Sequence, residues 1–280
     1  METHDAVNPV STDASQPADR DIAPPSIISV GITDRSRRRS NGVKNPKPAP
    51  GVIVCIPGLG GHESSLAAYR ELLPEYDFRF LRLVNIAEAS RDLEGICRNE
   101  NNVTLLCNCY GVQLAIRAIQ KMPEKISRLI VVEAFFAEFH HWMVVPMVVN
   151  KWLVLICQLT DLLGLARRKF PTRIDYVKMA KYPIYVQPIF DIRWQNLTDY
   201  FLKIDDILTF RLPAEVAVPT LFILSPKGYL RSAADRKAVQ SVFVNSDIVE
   251  VNENTHNIVS LSRQPISSII RDWLYRQTTS

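Results

Sequence analysis

The residues with the clearest capacity for chemistry lie at 103–112, where an apolar run passes directly into a helical pattern. The segment reads Val-Thr-Leu-Leu-Cys-Asn-Cys-Tyr-Gly-Val, with Cys109 flanked two positions away by Cys107 and Gly111. A strand that turns sharply into a helix needs small residues at these flanking positions, because larger side chains would collide across the turn. A thiol at the apex lies at the helix N-terminus, where the macrodipole favours the thiolate. The pattern predicts a nucleophilic cysteine at position 109.

Two further interpretations of these cysteines stay open. Cysteine is among the most frequently buried residue types, so a small core residue competes with a nucleophile at Cys109. Cys107 is interpreted as the small residue that the turn requires, because Cys-x-Cys without a second Cys or His pair is a weak metal signal. We therefore predict no metal and no cofactor.

The cysteine count and the N-terminus predict the compartment. The chain has five cysteines, an odd number, and most of them lie in apolar runs, which is typical of free thiols in a reducing environment. The N-terminus lacks the basic start, apolar stretch and small-residue cleavage site of a secretory signal. We expect a cytoplasmic protein.

Composition excludes several classes of protein. With 280 residues, 47% of them apolar and 22% charged, the chain is neither a disordered polymer, a collagen-like fibre nor a disulfide-stapled miniprotein. Its net charge of +4 is spread among 29 acidic residues, so we predict no nucleic-acid partner. Residues 1–24, rich in Pro, Ser and Asp, are predicted to form a disordered tail.

Short apolar runs alternate with helical patterns along most of the chain. The runs predict strands buried on both faces at 51–56, 78–84, 103–107, 129–132, 220–224 and 248–251, with a further short strand within 26–32. The helical patterns lie at 64–73, 87–98, 111–121, 231–242 and 257–275. This alternation predicts an α/β protein with a mostly parallel sheet and helices on both faces.

One long insertion, at 136–213, interrupts the alternation. It is aromatic-rich and helical in patches, so we predict a helical cap over the carboxyl ends of the strands, between core segments 25–135 and 214–280. Apolar residues at its start are predicted to bind substrate: Phe135, Phe136, Trp142, Met143 and Met147. Ordinary packing of the cap on the core is the competing interpretation of these residues.

Taken together, the order of these features resembles the α/β-hydrolase fold family from residue 51 to the C-terminus. Pro57-Gly-Leu-Gly-Gly-His62 follows the first buried strand, the turn at Cys109 comes two strands later, and the cap follows the next strand. A histidine, His256, comes after the last strand. The resemblance implies that His256 is the catalytic base and that the backbone N–H groups of Leu59 and Tyr110 form the oxyanion hole.

The acid of such a triad is not at its usual place. Most members carry Asp in the turn after the penultimate strand, but here that turn, Ser225-Pro-Lys-Gly228, has no carboxylate. Haloalkane dehalogenases and their luciferase relatives place the acid after the strand that precedes the cap, where this chain has Glu133. The resemblance therefore implies a Cys109–His256–Glu133 triad. Pairing of Glu133 with a cap arginine, such as Arg167 or Arg193, is the alternative.

A cysteine as the nucleophile limits the reactions that the site could catalyse. A thiolate that displaced halide would leave a thioether, which water cannot cleave, whereas an acyl group on sulfur is a thioester that water or another acceptor resolves. A cysteine at this turn also resembles dienelactone hydrolases and polyhydroxyalkanoate synthases. We predict hydrolysis or acyl transfer of an ester or thioester with an apolar acyl group, small-molecule or carrier-bound.

Two alternatives to an enzyme remain. One is a catalytically silent hydrolase-fold protein that binds an apolar ligand or a protein partner. The other is a protein that makes peripheral membrane contact through the cap.

Overall fold

The computed structural model describes residues 27–28, 51–59, 64–83, 86–139, 144–162, 197–226, 228–230, 232–252 and 258–279. The strands are β1 (Ile27–Ile28), β2 (Val52–Ile56), β3 (Asp77–Phe80), β4 (Val103–Cys109), β5 (Ile126–Ala134), β6 (Thr220–Leu224) and β7 (Ser246–Val251). They form one sheet in the order β1-β7-β6-β5-β4-β2-β3. Neighbouring strands run parallel, except that β1 pairs antiparallel with β7.

The helices fill the connections between strands. They are α1 (Ser64–Ala67), α2 (Tyr69–Leu72), α3 (Ile86–Asn99), α4 (Gly111–Lys121), α5 (Val144–Leu162), α6 (Leu197–Thr209), α7 (Ala233–Val242), α8 (Ile258–Leu261) and α9 (Arg263–Thr279). A single 3-10 turn, Ala137–Phe139, follows β5. The predicted α/β architecture with a mostly parallel sheet is confirmed.

Two predicted helices are divided in the structure. The pattern at 64–73 breaks at Ala68, which separates α1 from α2. The pattern at 257–275 is split between α8 and α9, and Pro265 explains the restart: it has no N–H to donate and its ring would clash with the carbonyl of Leu261. Periodicity alone does not detect such an interruption.

The sheet separates two apolar cores, because successive side chains of a strand point to opposite faces. On β2, Val54 and Ile56 pack with α3, α4 and α7, while Ile53 and Cys55 pack with α1, α2 and α9. Every residue of β2 is buried. Burial on both faces explains why this strand is a continuous apolar run.

The strand order reverses at β2. The chain passes from β2 to β3 at the sheet edge and then returns to β4 on the other side of β2. In open α/β sheets the crevice at such a reversal, at the carboxyl ends of the strands, is where ligands bind. Here it lies between the end of β2 and the end of β4, and β4 ends at Cys109.

Two long helices, α5 and α6, lie between β5 and β6 and pack on each other. The side-chain amide of Asn150 donates to the carbonyl of Phe201, 3.1 Å away. Lys203 on α6 is fully buried and donates through Nζ to the carbonyl of Leu83 at 2.8 Å, which ties this helix to the segment that follows β3. Among the described helices, none is both long and apolar enough to cross a membrane. The predicted tail at 1–24 lies outside the described residues.

Candidate active site

The turn between β4 and α4 is built around a backbone conformation that side chains rarely adopt. Cys109 has φ of +50°, and Tyr110 returns at once to helical values, with φ of −58° and ψ of −31°. A positive φ at a residue other than glycine costs free energy, and it persists where the surrounding structure fixes it. This conformation presents the side chain of Cys109 at the apex of a strand-to-helix turn.

Two glycines fix that turn from either side. A Cβ on Gly111 would lie 2.6 Å from the carbonyl oxygen of Ile56 and 2.8 Å from that of Pro57, so only glycine fits. A Cβ on Gly58 would lie 3.3 Å from the Cβ of Cys109. The loop after β2 is therefore packed directly against the turn that carries Cys109.

The two predicted oxyanion donors belong to these packed segments. Leu59 follows Gly58 and packs, partly buried, against the core. Tyr110 follows Cys109, is fully buried, and precedes the first residue of α4. The backbone N–H groups of Leu59 and Tyr110 remain our predicted oxyanion hole.

Cys109 differs from the other cysteines in exposure. Cys109 is partly exposed, whereas the other four are buried, and all five are free thiols: Cys55, Cys97, Cys107, Cys109 and Cys157. Cys107 packs beneath the turn, where its thiol donates to the carbonyl of Ile130 at 3.4 Å. Burial raises the pKa of the Cys107 thiol well above its ordinary value, which disfavours the reactive thiolate at that position.

Glu133 also has a positive φ, of +58°, and sits in a bulge. Between β4 and β5, Asn108 is opposite Val132 and Cys109 is opposite Ala134, so Glu133 is the extra residue at this shift of register. A bulge bends its strand and re-aims a side chain. The two strained residues thus lie side by side at the carboxyl edge of the sheet.

The side chain of Glu133 crosses to the turn after β6. It is fully buried, and its Oε1 accepts a hydrogen bond from the backbone N–H of Ser225. The turn closes through a bond from Gly228 N–H to the carbonyl of Ser225 at 3.0 Å. A Cβ on Gly228 would be 2.9 Å from the carboxyl carbon of Glu133, so this turn has room for the carboxylate only because residue 228 is glycine.

Sequence reasoning missed one residue at this edge, Tyr229. Burial, followed by the charges of Cys109 and Glu133, raises the pKa of Tyr229, so its hydroxyl lies within electrostatic reach of each of these two side chains. The ring of Tyr229 packs edge-on against Phe135, with centroids 4.6 Å apart. The available signal was its position directly after the turn at 225–228.

A hydrogen-bonded group connects the turn to the cap, and sequence reasoning missed this as well. The hydroxyl of Tyr110 donates to Oδ2 of Asp206 on α6, at 2.7 Å. Arg117 on α4 binds the same carboxylate with two N–H groups, at 2.7 and 2.6 Å. Burial and the charge of Asp206 raise the pKa of Tyr110, so its hydroxyl stays protonated and remains a donor. We call Tyr110, Arg117 and Asp206 the cap latch.

The other predicted site residues are distributed as follows. Phe136 is almost fully buried and packs with Phe139 and Phe243, at centroid distances of 5.9 and 6.3 Å. Met147 belongs to α5. The remaining predicted residues lie outside the described ranges: His256, Trp142 and Met143, together with the alternative partners Arg167 and Arg193.

Within the described ranges, no group of three or more His, Cys, Asp or Glu side chains could hold a metal ion.

Comparison with known proteins supports the fold independently of the sequence pattern. No family model and no curated protein sequence matches the chain. Among solved structures, it is similar to a lipase-esterase related protein from Clostridium acetobutylicum ATCC 824, with a TM-score of 0.57 and 10% identity over 89% of this chain and 99% of that one.

Two further solved structures have the same similarity of fold. The epoxide hydrolase of Bacillus megaterium has a TM-score of 0.58 and 11% identity, covering 81% of this chain and 94% of that one. The thioesterase domain from the curacin biosynthetic pathway has a TM-score of 0.54 and 16% identity, covering 80% and 92%. With these neighbours and the strand order above, the chain has the α/β-hydrolase fold.

Proposed function

We propose that this chain is an α/β-hydrolase-fold enzyme that uses Cys109 as a nucleophile to cleave or transfer the acyl group of an ester or thioester. The observation that carries the proposal is the positive φ of Cys109 at a strand-to-helix turn that Gly58 and Gly111 hold in place. A cysteine kept only for packing needs neither this conformation nor the partial exposure that its thiol has.

The placement of Glu133 supports it as the acid. Its carboxylate contacts the turn at 225–228. In most proteins of the family that this sequence resembles, an Asp of this turn supplies the acid. The same group is thus supplied from the neighbouring strand through a bulge. We propose that Glu133 orients the imidazole of His256 and stabilises its protonated form.

The chemistry follows from these roles. His256 takes the proton of the Cys109 thiol as the sulfur attacks the acyl carbonyl, and the N–H groups of Leu59 and Tyr110 stabilise the resulting oxyanion. His256 then gives its proton to the alcohol or thiol, which departs. The acyl group stays bound to the sulfur of Cys109. Water, or another acceptor, then gives up a proton to His256 and attacks this thioester. The carboxylic acid, or the transferred product, is released and the thiol is restored.

An apolar acyl group fits the apolar side chains at the carboxyl edge of the sheet. Phe135 and Tyr229 pack on each other beside the proposed acid, and Leu59 lies in the loop packed against the turn. The solved structures with the same fold include a thioesterase domain and an esterase. Phe136 contributes to the packing that supports Phe135, while Trp142, Met143 and Met147 remain proposed contacts with the substrate.

The proposal is tested by intact mass spectrometry after incubation with a panel of acyl thioesters of increasing chain length. We expect a single adduct of acyl mass, more abundant with longer chains. Cys109→Ala should abolish the adduct, whereas the matched variant Cys107→Ala should retain it. His256→Ala should slow adduct formation greatly, because the thiol would lose its base.

A thiol-reactive probe gives a second measurement. In the folded protein, Cys109 should be labelled ahead of the four buried cysteines. Equal labelling of all five cysteines, with no acyl adduct from any thioester, would support the silent binding protein instead.

A further inference from the structure

Helix α5 presents a stripe of large apolar side chains to solvent. Their exposed fractions range from 45% at Leu155 to 64% at Trp152. The spacing places them on one side of a helix, where such a stripe normally faces a core. We call this stripe the α5 outer face: Val148, Val149, Trp152, Leu155, Ile156 and Leu159.

The opposite side of α5 already has its partner. Asn150 and Cys157, seven residues apart, are both buried, and Asn150 donates a hydrogen bond to the backbone of α6. The helix is therefore held to the cap by its inner side, which gives the outer face a fixed direction. The α5 outer face runs from Val148 to Leu159, and at about 1.5 Å a residue it is about 18 Å long.

The charges along α5 favour an anionic partner. Lys151 borders the outer face and is exposed. The one acidic residue of α5, Asp161, comes four positions after buried Cys157, so its position belongs to the opposite side of the helix.

The chain that follows α5 is basic. Residues 163–196 contain seven Lys and Arg against two Asp. Arg167, Arg168 and Lys169 come five to seven residues after Leu162 in the sequence. Positive charge thus follows the apolar stripe along the chain.

We propose that the α5 outer face docks on the surface of a bilayer that contains anionic phospholipid. Apolar side chains with an exposed tryptophan suit the boundary between headgroups and acyl chains, and neighbouring lysines and arginines attract anionic headgroups. A second copy of this chain would present the same face bordered by Lys151, which offers no opposite charge to bind. A bilayer uses both features, the apolar stripe and the positive charge.

Docking of this face would bring the cap, and with it the proposed site, to the membrane. Helix α5 packs on α6, and α6 is joined by Asp206 to the residue next to Cys109. Membrane binding and acyl chemistry are nevertheless separate properties. Cys109→Ala removes the proposed nucleophile and leaves α5 unchanged, so it should bind vesicles like the unsubstituted protein.

The test is flotation of the full-length protein with vesicles of phosphatidylcholine alone, or of phosphatidylcholine and phosphatidylglycerol in equal parts. We expect binding to the anionic vesicles, weaker binding without phosphatidylglycerol, and a loss of most binding in high salt. A triple variant with Trp152→Gln, Leu155→Gln and Leu159→Gln should lower the bound fraction at least tenfold. Val244→Gln is the matched control, because Val244 is 57% exposed and lies between α7 and β7.

Sedimentation and thermal melting of the same proteins separate the alternatives. The triple variant should keep the melting temperature of the unsubstituted protein, because the replaced side chains face solvent. A dimer that becomes monomeric in the triple variant, with no vesicle binding, would assign the face to a second copy and overturn the proposal. A large loss of melting temperature without vesicle binding would show that another segment of the chain covers the face, with the same consequence. Equal vesicle binding by the triple variant and the unsubstituted protein would also overturn it.

Discussion

The carboxyl edge of the sheet and the helix pair α5 and α6, which belongs to the predicted cap, are held in place by different means. At the edge, Cys109 and Glu133 have positive φ, Gly111 lets the turn at Cys109 pack against the loop after β2, and Gly228 leaves space for the Glu133 carboxylate. Helix α6 buries Ile207 and Leu208 in the core and accepts a hydrogen bond from Asn150 of α5, while α5 leaves an apolar face exposed. Strained conformations persist only where the surroundings determine them. The difference therefore separates a proposed site built on a fixed backbone from two helices that keep an exposed apolar surface.

The largest effect should come from altering the acid at the edge. Glu133→Gln retains an oxygen that can accept the hydrogen bond from Ser225 N–H but removes the charge that would stabilise protonated His256. Replacing the acid of a known triad by its amide lowers kcat by about 10⁴, because the amide holds the histidine in the wrong tautomer, and we expect a loss of about 10³–10⁴ in the rate of acylation. Single-turnover mass spectrometry measures that rate.

A structural role for Glu133 would give a different result. The melting temperature of Glu133→Gln should stay close to that of the unsubstituted protein, since the volume and one acceptor are kept. A marked drop in melting temperature with little change in rate would contradict the proposed role. Gly228→Ala provides a second approach, because the added Cβ would displace the carboxylate while Glu133 is still present.

The next largest effect should fall on folding at the same edge. Gly111→Ala places a Cβ 2.6 Å from the carbonyl oxygen of Ile56, which can move only with β2. We expect a loss of about 3 kcal/mol in the free energy of unfolding, at the upper end of overpacking costs. Urea denaturation followed by circular dichroism measures this quantity.

A second glycine, away from the edge, serves as the matched control. Gly95 lies within α3, and a Cβ there would have no atom within 4 Å. Gly95→Ala should raise the free energy of unfolding by about 0.5–1 kcal/mol, because alanine loses less conformational freedom in a helix. If both substitutions changed stability equally, the turn at Cys109 would not be as tightly packed as the structure indicates.

The sequence predicted what periodic burial and local turn chemistry determine. Strands buried on both faces appear as apolar runs, and the small residues around Cys109 predicted the sharp turn, because both depend on neighbours along the chain. The bulge at Glu133 depends on how β5 pairs with β4, and sequence alone does not give that register. Tyr229 and Asp206 meet the site through contacts between residues far apart in the chain. Asp206 had no local signal, and Tyr229 had only its position directly after the turn at 225–228.

The cap latch is where the two regions meet, and its loss should have the smallest of these effects. Asp206→Asn keeps one acceptor oxygen but replaces the other with an NH2 group, which cannot accept a hydrogen bond. In one orientation this NH2 group faces an N–H of Arg117, and in the other it faces the hydroxyl of Tyr110. Because the ion pair is partly exposed, we expect a loss of only about 1–2 kcal/mol in the free energy of unfolding. Asp205→Asn, at the adjacent position, is the control: Oδ1 of Asp205 is buried without a hydrogen-bond partner among the described residues, so removing the charge should not lower stability, and the rate should stay unchanged.

Acylation kinetics decide whether the latch only stabilises the cap or also positions the turn. Tyr110 is both the partner of Asp206 and the proposed oxyanion donor, so a shift of its side chain should be transmitted to the backbone N–H beside Cys109. We therefore expect Asp206→Asn to lower the acylation rate severalfold at temperatures where the protein is fully folded. Tyr110→Phe, which removes only the hydroxyl, should reproduce that change in rate with a smaller change in stability. An unchanged rate in both variants would mean that the edge holds its geometry without the cap, and the two regions would then act independently.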